Sequence, residues 1–152
     1  MPKIDIDSLP VEARSGYPAP HDSLVAGRSR KRLGNAVGLS QFGVNLTTLK
    51  PGSASALRHW HDKEDEFVYV LSGELTLVEN DGETLIHPGD AAGFKAGVAN
   101  GHHLVNRSAH DAVYLEIGSR MPGESAHYPD VDLAFVRTDA GYVYTRKDGS
   151  PV

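Results

Sequence analysis

Short runs of apolar residues, many of them alternating with polar ones and each closed by a turn signal, fill the middle of the chain. Phe67-Val68-Tyr69-Val70-Leu71 is rich in β-branched and aromatic residues and is followed by Ser72-Gly73, which is typical of a strand that ends in a turn. Asn80-Asp81-Gly82 supplies residues that tolerate the positive φ angles of a tight hairpin. The same pattern predicts strands at Val44–Leu49, Phe67–Leu71, Leu75–Val78, Thr84–His87, Ala91–Phe94, His102–Asn106 and Ala112–Ile117.

Strands this short and this regularly spaced favour an antiparallel sandwich or barrel. The chain has 152 residues, which suggests a single domain, since domains commonly hold roughly 100–200 residues. We expect residues 1–152 to form one domain, with a barrel core at about 43–118, a Pro-broken arm at 1–42 and a tail at 119–152. Within the tail, Phe135–Arg137 and Tyr142–Arg146 could pair around Asp139-Ala140-Gly141.

Composition excludes several functional classes. Lys and Arg number 15 against 20 Asp and Glu, a net charge of -5, which argues against nucleic-acid binding because such proteins usually carry a basic excess. Cys is absent, so disulfides, thiolate metal sites and cysteine nucleophiles are excluded. No apolar run reaches the roughly 18 residues of a membrane span, and the N-terminus lacks the layout of a signal peptide. We therefore expect a cytoplasmic protein with no membrane partner.

Histidines and one glutamate occupy strand positions that could share a face. His59 and His61 are separated by one residue, and alternate residues of a strand point to the same side. Glu66 opens the next predicted strand and can enter the same interior, where its carboxylate would add charge that holds a divalent cation. A later strand supplies His102 and His103, which point to opposite faces. The arrangement predicts a metal site completed by a histidine of that later strand.

The first part of this pattern resembles the first motif of the cupin superfamily. Gly52, His59, His61, Glu66 and Gly73 follow the order of that motif, with a gap after Gly52 one residue longer than usual.

A later segment, beginning at Gly89-Asp90, resembles the second cupin motif. Lys95 stands where the family usually has Pro, and the gap before the histidine is two residues longer than usual. His102 and Asn106 keep the family's spacing, so the resemblance assigns the ligand role to His102 rather than to His103.

The resemblance covers about residues 43–118. It implies an all-β fold: a small antiparallel double-stranded β-helix, or jelly-roll, barrel with irregular N- and C-terminal extensions, often dimeric. It also implies a divalent metal bound by His59, His61, Glu66 and His102. Three imidazoles and one carboxylate suit Zn, Fe, Mn, Ni or Cu. Because ligating imidazoles must be neutral, we expect metal affinity to fall below about pH 6.5.

Within the superfamily the chain is most similar to small bacterial cupins described as sugar-phosphate isomerases. That resemblance implies a small polar or anionic substrate and a homodimer. The metal of such an isomerase would polarise the carbonyl and stabilise an enediolate, while a nearby base moves the proton. Two alternatives stay open on the same ligands: an iron- or copper-dependent dioxygenase, and a binding protein without turnover.

Several charged residues have two interpretations. Arg28, Arg30, Lys31 and Arg32 form a basic cluster, which we interpret as a solvated loop rather than an anion site. Lys95 could attract a phosphate, but an exposed solubilising role is favoured. Glu116 could be a base inside the barrel or a charge at its rim, and the rim is favoured.

Overall fold

The computed structural model describes residues 2–152, and β-strands dominate it. Among these residues the helical elements are short: α1 (Leu33–Ala36) and 3-10 turns at Ile6–Ser8 and His21–Val25. The strands are β1 (Arg28–Arg32), β2 (Phe42–Leu49), β3 (Trp60–His61), β4 (Glu66–Ser72), β5 (Leu75–Glu79), β6 (Gly82–Ile86), β7 (Ala91–Phe94), β8 (His103–Val105), β9 (Ala112–Ser119), β10 (Ser125–His127), β11 (Ala134–Thr138) and β12 (Gly141–Thr145).

The strands form antiparallel sheets arranged as a jelly roll. One sheet has the order β1-β2-β9-β4-β7. Two smaller sheets, β12-β11-β10-β3 and β6-β5-β8, are joined by an isolated antiparallel bridge between His59 and His102. The all-β antiparallel fold expected from the strand pattern is therefore confirmed.

Most predicted strands match within one or two residues, and the tail hairpin is also confirmed, with Phe135 opposite Tyr144. The flanks are less irregular than predicted. Arg28–Arg32, interpreted as a solvated loop, is the edge strand β1 and pairs with β2. The physical reason is that its partner β2 offers free backbone hydrogen-bonding groups along its edge, so even an all-polar segment gains ladder hydrogen bonds by pairing with it.

Two apolar clusters hold the layers together. The larger one fills the barrel with residues from both layers: Leu49, Val68, Val70, Leu75, Leu77, Ile86, Leu104, Ala112 and Tyr114. The smaller one lies under the tail and comprises Leu57, Ala126, Tyr128, Leu133 and Phe135. Each large aliphatic side chain buried here contributes about 1.5–3 kcal/mol relative to exposure. Phe67 and Tyr69, on the outer face of β4, are 42% and 39% exposed.

The N-terminal arm packs on the protein's own edge strand. Glu12 and Arg30 exchange two backbone hydrogen bonds of 2.8 Å, and the Glu12 carboxylate pairs with Arg32 at 2.5 Å. These contacts cover the open edge of β1, which limits pairing with other chains.

Within residues 2–152, every helix is too short or too polar to cross a membrane.

Candidate metal centre

Backbone pairing brings two predicted ligands side by side. His59 and His102 exchange hydrogen bonds of 3.2 and 2.9 Å across the bridge between the two small sheets. Residues paired in this way present their side chains on the same face. His61 lies two residues after His59 and therefore shares that face, while Glu66 begins β4 in the opposite layer. The four side chains meet between the layers.

The carboxylate of Glu66 lies at the centre of this group. Its Oε1 is 3.1 Å from Nε2 of His61 and 3.4 Å from Nε2 of His59. Its Oε2 is 2.6 Å from Nε2 of His102. Ligand atoms of His59, His61 and Glu66 all lie within 4.8 Å of one another. We call these four residues the His–Glu cluster.

His103 does not join the cluster, because its Nδ1 contacts the carbonyl oxygen of Ala56 at 2.7 Å instead. The structure thus brings His102, and not its neighbour, to Glu66.

Backbone carbonyls fix the orientation of two of the rings. Nδ1 of His59 lies 2.7 Å from the oxygen of Leu57, and Nδ1 of His102 lies 2.9 Å from the oxygen of Asn100. A carbonyl only accepts, so each Nδ1 must carry a proton, and in the neutral form of either ring Nε2 keeps a lone pair. These lone pairs face the lone pairs of the Glu66 carboxylate. Two acceptors 2.6 Å apart repel unless a cation, either a proton or a metal ion, lies with them.

The ionisable groups of the cluster perturb one another. Burial would lower the pKa of His61, but the contact with Glu66 and the charges of Glu66 and Glu124 outweigh burial and raise it above its ordinary value. Burial would likewise raise the pKa of Glu66, yet the charge of His59 and the bonds from the histidines hold it well below its usual range. The cluster therefore keeps Glu66 ionised and stabilises positive charge beside it.

Two further carboxylates support the cluster, and sequence reasoning missed both. Glu124 is fully buried, and its Oε1 lies 3.6 Å from Nδ1 of His61, which is buried without a hydrogen-bond partner. Glu64 is also buried and pairs with Arg137. Glu64 lies in the irregular segment before β4, so strand alternation gave no signal for it. Glu124 lies in the tail, where no local pattern distinguishes it.

Aromatic rings flank the cluster on two sides. Phe94 stacks on His102 with ring centroids 3.5 Å apart and an interplanar angle of 2°. Tyr128 lies 6.1 Å from the ring of His59, and burial raises the pKa of its hydroxyl, which keeps it protonated. The rings limit water access and hold the imidazoles in place.

The cluster opens onto two cavities. The larger, of about 380 Å³, is lined by the cluster, by Tyr17 and Tyr128, and by Arg28, Arg30 and Glu116 of the inner sheet face. This volume falls within the roughly 300–1,000 Å³ typical of small-molecule sites. Glu116 therefore belongs to the cavity wall rather than to an outer rim. The smaller cavity, of about 230 Å³, is lined by His61, Glu66 and His102 and includes the exposed Lys95.

Comparison with known proteins identifies the family. A family model described as the cupin domain matches residues 45–118. A structure of a sugar phosphate isomerase of the cupin superfamily from Silicibacter pomeroyi is 49% identical, covers 99% of this chain and 96% of that one, and has a TM-score of 0.96. A provisionally assigned sugar phosphate isomerase from Acidithiobacillus ferrooxidans is 34% identical over 84% of this chain and 82% of that one, with a TM-score of 0.75.

The polyketide cyclase RemF from Streptomyces resistomycificus shares the fold, at 19% identity over 78% of this chain and 79% of that one, with a TM-score of 0.63. No curated protein matches the chain significantly. The two-layer β fold, the His and Glu motif and the full-length similarity agree. The chain belongs to the cupin superfamily.

Proposed function

We propose that the protein binds a divalent transition metal through His59, His61, Glu66 and His102. The observation that carries this proposal is the contact of 2.6 Å between Nε2 of His102 and Oε2 of Glu66. Since the Nδ1 atom of His102 is committed to the carbonyl of Asn100, that short contact calls for a cation. Three imidazole nitrogens and one carboxylate are donors that suit Zn, Fe, Mn or Ni, so the residues fit the metal.

Glu66→Gln tests the metal site. Gln is uncharged, so metal affinity should fall more than about 100-fold, since even groups that only support a ligand are worth about 10–100-fold. Glu74→Gln is a matched control, because Glu74 forms an exposed contact of 3.2 Å with His87. Titration calorimetry with Zn²⁺ and Mn²⁺, with elemental analysis of the purified protein, gives the readout. Equal affinity in wild type and E66Q would refute the proposal.

We further propose that the reaction is the isomerisation of a small sugar phosphate. The support is the 49% identity over 99% of the chain to a protein described as a sugar phosphate isomerase, together with a cavity large enough for such a molecule. A bound metal supplies Lewis acidity that polarises the sugar carbonyl. The chain itself must hold the sugar, exclude water and move a proton between adjacent carbons.

Glu116 is the residue we propose as proton acceptor. It lines the cavity with Glu66, lies opposite Val68 in the neighbouring strand, and is therefore a diagonal neighbour of Glu66, on the order of 7–8 Å away between Cα atoms. Asn45 donates a hydrogen bond of 3.0 Å to its Oε1. A carboxylate beside the carbons of a bound sugar is suited to accept a proton from carbon.

A panel of aldose and ketose phosphates tests the reaction. Incubation of the metal-loaded protein in D₂O should produce the isomer and incorporate deuterium at the exchanged carbon, both followed by NMR. Glu116→Gln should lower the rate more than about 100-fold, within the range of general base catalysis, while leaving metal affinity unchanged. Binding of sugar phosphates without exchange or isomer formation would contradict the isomerase and favour a binding role.

We also propose that the protein is a homodimer. The outer face of β4 exposes Phe67, Tyr69 and Leu71, of which Leu71 is 44% exposed, and β9 pairs Ile117 and Leu115 directly beside the first two. A contiguous apolar patch of this kind suits a second copy of the chain. Light scattering should give twice the monomer mass for wild type and the monomer mass for Tyr69→Lys. A monomeric wild type would contradict the dimer.

The cytoplasmic location stays a prediction.

A further inference from the structure

Arginine is unusually frequent in the lining of the larger cavity. Six arginines line it, namely Arg14, Arg28, Arg30, Arg32, Arg120 and Arg137. Three glutamates accompany them, Glu64, Glu66 and Glu116, and among the described residues no lysine or aspartate does. The whole chain carries a net charge of -5, so this concentration of guanidinium groups runs against its average charge. Guanidinium binds phosphate and carboxylate oxygens in a bidentate manner, which distinguishes it from the ammonium of lysine.

Two of these arginines lie on the inner face of strand β1. Arg28 lies opposite Leu49 and Arg30 lies opposite Thr47, and both of those β2 residues are fully buried. The register therefore turns Arg28 and Arg30 to the inner face, while the residue between them points away. Arg28 is only 7% exposed, which is rare for a charged residue unless it has a partner.

The partners of these two arginines do not balance their charge. Nη1 of Arg28 donates to the carbonyl oxygen of Ser55 at 2.6 Å, a neutral acceptor. Nε of Arg30 lies 2.6 Å from Oε1 of Glu116, but its N–H is not aligned with a hydrogen-bond partner. One buried guanidinium group and one part-buried guanidinium group thus share one carboxylate. Burial, followed by the charge of Arg30, lowers the pKa of Arg28, whereas the charge of Glu116 outweighs burial and raises the pKa of Arg30.

Two buried hydroxyl groups beside these arginines lack a hydrogen bond of correct geometry. Tyr114 is fully buried, lines the cavity and lies opposite Thr47 of β2, and neither of their hydroxyl groups forms a well-aligned bond. Burial raises the pKa of Tyr114, so it remains a neutral hydrogen-bond donor. Unpaired buried polar groups in a native protein call for an explanation, and a ligand that accepts hydrogen bonds supplies one.

The two inward-facing arginines, Arg28 and Arg30, and the His–Glu cluster are within reach of one small molecule. Arg30 pairs with Glu116, and Glu116 is a diagonal neighbour of Glu66, since Val68 lies opposite Glu116 and Gly118 lies opposite Glu66. Such neighbours are about 7–8 Å apart between Cα atoms. A ligand of a few carbon atoms can therefore reach both.

We infer that Arg28 and Arg30 bind the phosphate group of a small phosphate monoester, whose carbonyl and hydroxyl oxygens reach the His–Glu cluster. The phosphate dianion offsets the excess charge of the arginines and accepts hydrogen bonds from their free N–H groups and from the hydroxyl of Tyr114. The identity of the whole ligand rests on the proposed isomerase function, but phosphate binding at the arginines requires no metal.

Inorganic phosphate is the probe, applied to the metal-free protein. Calorimetry at constant ionic strength should show phosphate binding to wild type and at least 10-fold weaker binding to Arg28→Gln. The double variant Arg30→Gln/Glu116→Gln removes both members of an ion pair, so neither charge is left without its partner. It should also bind phosphate at least 10-fold more weakly than wild type. Lys31→Gln is the matched control and should bind within twofold of wild type, because it changes the same charge on the outward face of β1.

Wild type also gives a readout that does not depend on folding of the variants. Phosphate should raise the melting temperature more than acetate or chloride at equal ionic strength, because binding to the native state stabilises it. Absence of phosphate binding by wild type, or equal binding by R28Q, the double variant and wild type, would overturn the inference. Equal protection by acetate would overturn the assignment to phosphate. Failure of the metal site would appear separately, in the Zn²⁺ titration of E66Q, and failure of the isomerase would appear in the sugar-phosphate panel.

Discussion

Replacing Glu124 by Gln is expected to destabilise the protein far more than a surface carboxylate change would. Glu124 is fully buried, and its carboxylate accepts backbone N–H groups from the segment that joins β3 to β4. Oε1 accepts from Asp62 and Ser125 at 3.0 Å, and Oε2 accepts from Lys63 at 3.1 Å. The residue thereby fixes the segment between His61 and Glu66.

The magnitude follows from these bonds. In Gln the amide oxygen can keep the position of Oε1, but the amide nitrogen then meets the N–H of Lys63, donor against donor. The bond of 3.1 Å from Lys63 to Oε2 is lost, its longer contact of 3.3 Å with Oε1 is all that remains, and the bonds from Asp62 and Ser125 lose the charge of the acceptor. With about 1.5–3 kcal/mol for a hydrogen bond to a charged group and about 0.5–1.5 kcal/mol for a neutral one, the free energy of unfolding should fall by about 3–5 kcal/mol.

Urea denaturation of the metal-free protein, followed by circular dichroism, measures this loss. For a slope of about 2 kcal/mol per molar urea, the midpoint should fall by about 1.5–2.5 M. Glu74→Gln, an exposed carboxylate, should stay within about 0.5 kcal/mol of wild type. A change below about 1 kcal/mol for E124Q would refute the role given to these buried bonds.

Three further predictions follow from the site and the fold. Zn²⁺ affinity should fall from pH 8 to pH 6. The pKa of His61 is raised above its ordinary value of about 6.5, so a proton competes with the metal ion for this ring within that range. Equal affinity at both pH values would contradict this prediction. Gly73→Ala should lower the free energy of unfolding by more than about 2 kcal/mol, since φ is +79° and a Cβ atom would lie 2.7 Å from the Cα of Ala112. Gly52→Ala, at φ +85° but in open space, should lower it by only about 1 kcal/mol. Similar losses for the two variants in urea denaturation would contradict the role of the clash. Leu49→Ala, at a fully buried position, should cost about 2–5 kcal/mol by the same assay, and a loss below about 1 kcal/mol would show that the core collapses around the gap.

The sequence by itself determined the strands and most of the His–Glu cluster. Alternation is a local property, so the shared face of His59 and His61 could be derived from spacing alone. Turn residues such as Asn80-Asp81-Gly82 also act locally, and the hairpin they predict forms with Glu79 opposite Gly82. The preference for His102 over His103 came from the family resemblance, and the geometry around Glu66 agrees with it.

Only the tertiary structure decided which distant residues complete the site. Glu124 bonds to Asp62 across 62 positions of the chain, and Arg30 reaches Glu116 across 86. Such contacts depend on strand pairing and register, and a shift of one residue would turn Arg28 and Arg30 to solvent. A basic pentapeptide has the same local pattern whether it is a solvated loop or an edge strand. Its neighbour β2, and not its own composition, placed these arginines in the cavity.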